Sequence, residues 1–399
     1  MKFISMFVAV FFWLSVFIII YTYIGYPLLI ALLAKFRRKP KPYPAYLPSA
    51  TLLIAAYNEE TVIENKIRNS LEIEYPEEKL QILFVTDGST DATPQIVKRF
   101  ETQGIELLHE PQRNGKMAAI NRAMLRVRGE IIIFSDANNY YQPNTLKELV
   151  APFQDPSIGA ASGAKLIASG DGNLGASEGL YWKYESYIKK QESRLGSCTS
   201  VAGEILAIRK TAYLKPPDNV INDDFYLGMQ VIRQGLRLVY VPQAKSIERV
   251  SLTAQDEIKR RTRINAGRYQ IIANAGKILP LKHPLLVWQI VSHKFLRLLV
   301  PFGMICALLT NIVAVILSTE SHFFLLSAPF NMIILDLQLL FYGLAAIGAI
   351  FPKLGEKHKL MRLFYLPAFL TNSNLAALYG FLHHQRRRQS HLWERIQRR

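Results

Sequence analysis

The sequence predicts an α/β domain built on a parallel sheet, flanked at both ends by helices long enough to cross a membrane. Three observations carry this expectation. Ile131-Ile132-Ile133-Phe134 runs straight into the polar cluster Ser135-Asp136-Ala137-Asn138-Asn139. Gln81-Ile82-Leu83-Phe84-Val85-Thr86 runs in the same way into Asp87-Gly88-Ser89. Short apolar runs bounded by turn residues read as buried strands of a parallel sheet, and ligands of such sheets sit just beyond the strands' carboxyl ends. Two strands that deliver an Asp to one rim suggest a site for a metal-bound, phosphate-bearing ligand. The third observation is the distribution of apolar residues. They make up 50% of the 399 positions and gather at the two ends, framing a more polar middle about one large domain in size.

Taken in order, residues 3–34 are a long apolar run closed by Lys35-Phe36-Arg37-Arg38-Lys39-Pro40-Lys41. The run is longer than the apolar region of a secretory signal and has no small-residue cleavage site. It is long enough to span a bilayer with some tilt. The basic cluster places the polar middle of the chain on the cytoplasmic side, so residues 1–36 are expected to be a membrane anchor with its amino terminus outside. Proline-rich residues 37–50 form a stiff linker.

The domain itself, residues 51–275, opens with a strand and the polar turn Tyr57-Asn58-Glu59-Glu60. A helix is expected over 61–71, because Ile63, Ile67 and Leu71 recur at four-residue spacing. After the strand ending in Asp87, residues 93–100 suit a helix, 105–108 a short strand and 115–127 a third helix. This alternation indicates β-α-β units. Further on, 178–191 reads as a helix with Trp182, Tyr184 and Tyr187 as aromatic surface. Residues 201–209 are a strand candidate, and Asn222-Asp223-Asp224-Phe225 opens a helix. A strand follows at 235–242, then a strongly basic helix at 256–270.

The carboxyl end returns to the membrane. Residues 276–294 are expected to be an interfacial helix region, and 295–317 and 332–351 to span. The loop opening Ser318-Thr319-Glu320-Ser321 has no Lys or Arg and belongs outside, whereas the segment from Lys353 to Lys359 belongs inside. Residues 363–382 carry Pro367, Asn372 and Asn374 and lie between two basic segments, the second being Arg386-Arg387-Arg388. Spanning there would break the positive-inside pattern, so an interfacial or re-entrant helix is expected within the 295–382 region. Residues 383–399 form a basic cytoplasmic tail. The chain as a whole is expected to be a multi-pass protein of the inner or plasma membrane.

Lys and Arg number 48 against 31 Asp and Glu, a net charge of +17. Cytoplasmic flanks of a membrane protein account for that excess better than nucleic acid does. No zinc-finger spacing, RNA-stacking signature or basic helix in a dimeric context is present. Cys198 and Cys306 form neither a disulfide framework nor a metal pair.

Four motifs, Tyr57-Asn58-Glu59-Glu60, Thr86-Asp87-Gly88-Ser89-Thr90-Asp91, Ser135-Asp136-Ala137-Asn138 and Asn222-Asp223-Asp224, occur in an order and spacing that resemble family-2 glycosyltransferases. The likeness is closest to membrane-embedded cellulose, chitin, hyaluronan and poly-N-acetylglucosamine synthases, and it covers roughly residues 51–275. The resemblance implies a GT-A, Rossmann-like fold, a nucleotide-sugar donor such as a UDP-sugar, Mg²⁺ or Mn²⁺, and inversion at the anomeric carbon. It implies that Tyr57 and Glu59 grip the nucleobase and ribose, that Asp87 binds the base, and that Asp136 meets the metal and diphosphate. The second Asp of that D-x-D-like motif is Asn138 here, so ligation rests more heavily on Asp136. Asp224 matches the catalytic base of a T-E-D motif and Asp223 takes the place of its Glu. Lys116 resembles the family's basic residue near the diphosphate. Lys259-Arg260-Arg261-Thr262-Arg263-Ile264 aligns with Q-x-x-R-W: Arg260 replaces the Gln, Arg263 keeps the Arg, and Ile264 replaces the aromatic residue that stacks on the acceptor sugar.

The chemistry of transfer asks for such groups independently. Departure of a nucleoside diphosphate builds negative charge that a hard divalent cation held by carboxylate and phosphates offsets. A separate carboxylate must take the acceptor hydroxyl's proton, and an Asp at a helix start suits that task. Blander readings stay open at this level: a helix cap for Asp223, a plain turn for Asp87-Gly88-Ser89, a solvated helix start for Lys116, and a lipid-facing surface for the 259–264 run. The resulting expectation is a membrane glycosyltransferase acting on a glycan or lipid-linked acceptor for a cell-surface polysaccharide, with a homo-oligomer or export partner left open. The alternatives are a processive polysaccharide synthase and a catalytically weak nucleotide-sugar-binding scaffold. The few spans and their shortage of charge argue against a transporter.

Overall fold

Strand β1, Ala50–Ala56, is buried along its whole length. Leu52 and Ile54 pack into one core and Leu53 and Ala55 into another. Both faces of the sheet are therefore covered, which is why the strand reads as an unbroken apolar run rather than an alternating one. The computed structural model of the chain describes residues 2–38, 42–168, 170–317, 324, 326–351, 362–386, 390 and 392. The expected outside loop at 318–321, the basic segment 353–359, residues 39–41 of the linker and most of the 383–399 tail lie outside the described residues.

The sheet has eight strands in the order β3-β2-β1-β4-β7-β6-β8-β5. β2 (Leu80–Asp87), β3 (Ile105–Glu110) and β4 (Ile131–Asp136) join β1 in a parallel block. Ala56 stands opposite Thr86, and Ala55 opposite Asp136, so the Asp-bearing ends of β2 and β4 share one rim as expected. Beyond β4 the sheet is mixed rather than wholly parallel. β7 (Leu206–Arg209) runs antiparallel to β4 and to β6 (Ile158–Ile167), and β5 (Asn139–Tyr141) runs antiparallel to β8 (Arg237–Glu248). The 201–209 strand shortens because Gly203–Ile205 coil into a single 3-10 turn.

On one face lie α3 (Ile63–Leu71), α4 (Thr93–Lys98) and α6 (Thr145–Val150). On the other lie α5 (Lys116–Ala123) and α8 (Asp223–Arg233). In α3, Ile63 and Ile67 point inward as expected, but Leu71 is 37% exposed. The remaining inward positions belong to Ser70 and to Lys66, which is fully buried beneath the rim and donates to Ser135 Oγ at 2.8 Å and Asn139 O at 2.7 Å. The 178–191 helix is longer than expected: α7 runs Gly172–Leu195. α9, Ala254–Ala273, starts with a capping box between Thr253 and Asp256.

Among the described residues, three helices are long and apolar enough to cross a membrane: Phe3–Lys35, Pro284–Leu317 and Phe330–Ile350. The first comprises α1 (Lys2–Ile20) and α2 (Tyr26–Lys35), joined by the π-turn Tyr21–Gly25. A short α10, Ala275–Ile278, precedes the second, which joins α11 (Pro284–Ile290) to α12 (Leu296–Leu317) through another π-turn, Val291–Phe295. Most of the expected interfacial segment 276–294 is therefore the first part of a continuous helix. Tyr21 OH and Ser292 Oγ, one from each π-turn, lie 2.9 Å apart, and Trp288 Nε1 donates to Tyr21 OH at 3.0 Å. The third is α13, Phe330–Ile350.

Residues 362–385 form one continuous helix, α14 (Arg362–Gln385). It lies along α9 at a glycine: a Cβ on Gly380 would stand 2.7 Å from Asn265 Cβ and 3.0 Å from Thr262 O. α9 in turn presses Gly267 onto Asn222, where a Cβ would stand 2.6 Å from that side chain. Asn222 Nδ2 closes the contact by donating to Ile264 O at 2.9 Å. The start of α8 is thus clamped to α9, and α9 to the apolar helices.

Candidate active site

Two cavities meet at the carboxyl rim of the sheet. The outer one, about 220 Å³, is lined by Glu59, Lys116, Asp136, Asn138, Asp223 and Arg263 among others. Asp136 ends β4, Asp223 opens α8, and Lys116, the first residue of α5, reaches both. Its Nζ lies 2.9 Å from Asp136 Oδ1 and 3.0 Å from Asp223 Oδ2. Burial opposes the charge on Lys116, but the two carboxylates outweigh it and hold the ammonium above its usual range. Asp223 is therefore an ion-pair partner in the first turn of α8, and Lys116 is not a solvated helix start.

Asp136 keeps 39% of its side chain exposed to the cavity. Asn138 Oδ1 is buried with no hydrogen-bond partner among the described residues. An anionic oxygen and an unsatisfied amide oxygen on one wall suit a hard divalent cation whose remaining ligands are phosphate and water. Among the described residues no group of three His, Cys, Asp or Glu side chains is placed to hold a metal by itself.

The inner cavity, about 200 Å³, lies between the domain and the apolar helices. Tyr23 reaches it from the first of the three apolar helices, Lys294 and Arg297 from the second, and Phe369, Leu370 and Ala377 from α14. The two cavities share Lys165, Gly203, Glu204, Asp224, Arg260 and Ile264. Asp224 thus stands on their common wall. Its Oδ1 accepts from its neighbour Phe225 N at 2.7 Å. Burial, reinforced by the adjacent Asp223 charge, pushes its carboxyl up to about 6. That value suits a group that takes up a proton near neutral pH.

Of the other residues singled out in the sequence, Arg260, Arg263 and Ile264 come together on α9 beside Asp224. Arg260 is braced by Glu257, with Nε and Nη2 at 3.0 and 2.6 Å from its carboxylate oxygens. Tyr57 stays off the cavity wall, its ring 4.0 Å from the Arg113 guanidinium carbon. Asp87, expected to bind the base, ends β2. It is fully buried, and Asn114 N, Gly115 N and Arg122 Nη2 donate to it at 2.9, 2.7 and 3.3 Å. With both oxygens taken, it pins the loop that starts α5 and so aims Lys116.

Several charged wall residues were not singled out. Lys165 on β6 pairs with Glu204 at 3.2 Å and with Glu248 on β8, and Trp182 of α7 lies 5.1 Å from its ammonium. Glu185 of α7 meets Lys294 at 2.9 Å, and Arg297 also pairs with it. A charged residue on an apolar helix was the available signal: Arg297 stands out in the apolar helix Pro284–Leu317, and its partner lies far off in sequence on α7.

Residues 51–215 match the family model described as glycosyl transferase family 2. Among curated proteins, the chain is 24% identical over 241 residues to the poly-beta-1,6-N-acetyl-D-glucosamine synthase of Staphylococcus aureus, covering 59% of this chain and 58% of that protein. It is 29% identical over 206 residues to the beta-monoglucosyldiacylglycerol synthase of a Nostoc species, covering 50% of this chain and 44% of that protein. The matches thus span about half the length of these relatives. Among solved structures, the mannosyltransferase PcManGT from Pyrobaculum calidifontis, in complex with GDP-Man and Mn²⁺, superposes with a TM-score of 0.67 at 25% identity, covering 93% of this chain and 99% of that one. That coverage takes in the flanking helices as well as the GT-A domain.

Proposed function

We propose that this chain, whose residues 51–215 match the glycosyl transferase family 2 model, is a membrane-bound, inverting, metal-dependent glycosyltransferase with its catalytic domain on the cytoplasmic side. It moves a sugar from a nucleoside diphosphate sugar onto a glycan or lipid-linked acceptor. The observation that carries the reading is Asp224, a carboxyl raised to about 6 on the wall between two cavities.

The donor occupies the outer cavity, with its diphosphate toward Asp136, Lys116, Arg260 and Arg263, and the acceptor hydroxyl enters from the inner one. Asp224 takes the hydroxyl proton while the acceptor oxygen bonds to the anomeric carbon. The bond from that carbon to the diphosphate breaks on the opposite face, and the nucleoside diphosphate leaves. Asp136 and Asn138 would hold Mg²⁺ or Mn²⁺, which supplies charge to offset the leaving phosphates. Lys116 is poised to exchange Asp136 for a phosphate oxygen once the donor arrives. The Mn²⁺ and GDP-Man of the solved mannosyltransferase support a metal and a nucleotide sugar of this kind.

The names of the relatives offer two product classes, a polysaccharide and a glucosylated diacylglycerol, and so a growing glycan or a lipid as acceptor. A processive variant of the reaction has one observation in its favour. Trp182 borders the inner cavity and offers an aromatic face that Ile264 does not.

Detergent-purified protein incubated with a panel of nucleotide sugars, with the products sized, tests the reaction class. Asp224→Asn should lower transfer by about 10² to 10⁴ while nucleotide binding persists, as expected for loss of a positioned base. Transfer at the wild-type rate would remove Asp224 from the mechanism.

A further inference from the structure

The inner cavity carries more positive charge than its carboxylates balance. Lys165, Arg260, Arg261, Arg268, Lys294 and Arg297 line it against the carboxylates of Glu185, Glu204 and Asp224; Lys165 and Arg260 are answered by Glu248 and Glu257. Arg261 is answered by Glu178 and Glu257. Lys294 and Arg297 share the single carboxylate of Glu185, which His293 also faces at 3.3 Å. Arg268 has no carboxylate within ion-pair distance among the described residues; its Nη1 donates to the amide oxygen of Asn265 at 3.0 Å. Nε and Nη2 of Arg297 are buried without a hydrogen-bond partner among the described residues. Burying a cation away from water costs several kcal/mol unless an anion or a full set of hydrogen bonds offsets it. Ionisable groups held at membrane helices characteristically face a ligand path. The cavity is thus short of an anion.

We propose that the inner cavity binds the phosphate of a lipid-linked acceptor, with Arg268 and Arg297 as its principal ligands. The proposal rests on the glycosyltransferase reading and names the acceptor class for it. Guanidinium groups present paired N–H donors that match phosphate oxygens, and charge-assisted bonds of this kind are the strong ones. The donor's diphosphate is not the missing anion, because the outer cavity on the far side of Asp224 has cations of its own in Lys116 and Arg263. The walls argue for a lipid source. Tyr23, Phe369, Leu370 and Ala377 line the same cavity from the first of the three apolar helices and α14, so a molecule seated there meets apolar helices as well as arginines. A phosphate on a hydrocarbon chain satisfies both.

The test uses the full chain in detergent and measures binding of farnesyl phosphate, farnesol and inorganic phosphate, for instance through tryptophan fluorescence. Farnesyl phosphate should bind at least about tenfold more tightly than either of the others, the worth of one charge-assisted hydrogen bond. Arg268→Gln should lose about tenfold in farnesyl phosphate affinity, and Arg268→Lys should recover part of it. Retained UDP affinity reports that each variant is folded. Farnesol binding as tightly as its phosphate, inorganic phosphate binding as tightly as the prenyl ester, or Arg268→Gln binding like wild type would each overturn the proposal. The wild-type comparison of the three probes decides it even where a variant fails to fold. The glycosyltransferase reading fails separately: phosphate-dependent prenyl binding with no sugar transfer from any donor would sink that reading and leave the site standing.

Discussion

The two cavities on either side of Asp224 are made in opposite ways. The outer one is assembled at the ends of strands, where backbone register sets the positions of Asp136 and the loops beside it. The inner one is assembled by side chains from α7, α9, the membrane-length helices and α14, which meet across long sequence separations. Glu185 and Arg297, for example, are 112 residues apart. The outer cavity is a property of the sheet and the inner one a property of docking. Changes in one should therefore register on the donor and changes in the other on the acceptor.

The largest effect is expected in the outer cavity. Asp136→Ala should abolish metal-dependent nucleotide binding and cut transfer by at least about 10²-fold, since the charge stabilisation at stake is several kcal/mol. Asn138→Ala should do less, because an amide gives a cation only a dipole. Titration of Mn²⁺ and nucleotide against both variants checks this, and equal losses would contradict the assignment of Asp136.

A smaller effect is expected on the shared wall. Asp224 is raised from 3.8 to about 6, so kcat/KM should climb as pH rises through about 6 and then level. Asp223→Asn removes the neighbouring charge and should move that midpoint downward in a pH–rate profile. The sign for stability is the reverse of the sign for activity. Because the folded chain binds this proton more tightly, stability falls as pH rises from 3.8 to about 6. Asp224→Asn should accordingly melt at a higher temperature than wild type at neutral pH.

The smallest effect is expected on the acceptor side. Ile264→Trp restores a flat apolar face beside both cavities, and aromatic contacts are worth about 0.5–1.5 kcal/mol beyond burial. Longer products, or an acceptor KM lowered by a few-fold, should follow. An unchanged product distribution would assign the aromatic platform to Trp182 instead.

The contrast also explains what could be read from the sequence. Strand ends such as Phe134-Ser135-Asp136 and Val85-Thr86-Asp87 are local signals, and their register brought them to one rim as expected. Asp87 was legible as a rim residue but not as a buried one, because the donors that occupy it come from Asn114, Gly115 and Arg122. Strand β6 gave no apolar signal: Gly159, Ala160, Ala161, Gly163 and Ala164 replace the branched residues that usually mark a buried strand. The close approach that requires small residues is visible at Gly163, where a Cβ would stand 2.4 Å from Ile205. The arginines of α9 could be read as donor ligands or as a lipid-facing surface. The structure divides them between the two cavities, with Arg263 lining the outer, Arg261 and Arg268 the inner, and Arg260 both. Helical spacing alone could not divide them, because the division depends on where α14 lies.

The paired π-turns set the phase of the two helices that carry Tyr23, Lys294 and Arg297. Each π-turn widens one turn of an otherwise α-helical rod by a residue, and each residue of a helix advances about 100° around its axis. Loss of one residue at Tyr21–Gly25 would thus swing everything on one side of it by more than a quarter of a revolution. Tyr26, which now donates to Glu192 at 2.5 Å, and the face that α1 lays along α12 could not both stay in place. The two helices are keyed to each other like gears whose teeth were cut together, and a change of length in either must be matched or absorbed by the other.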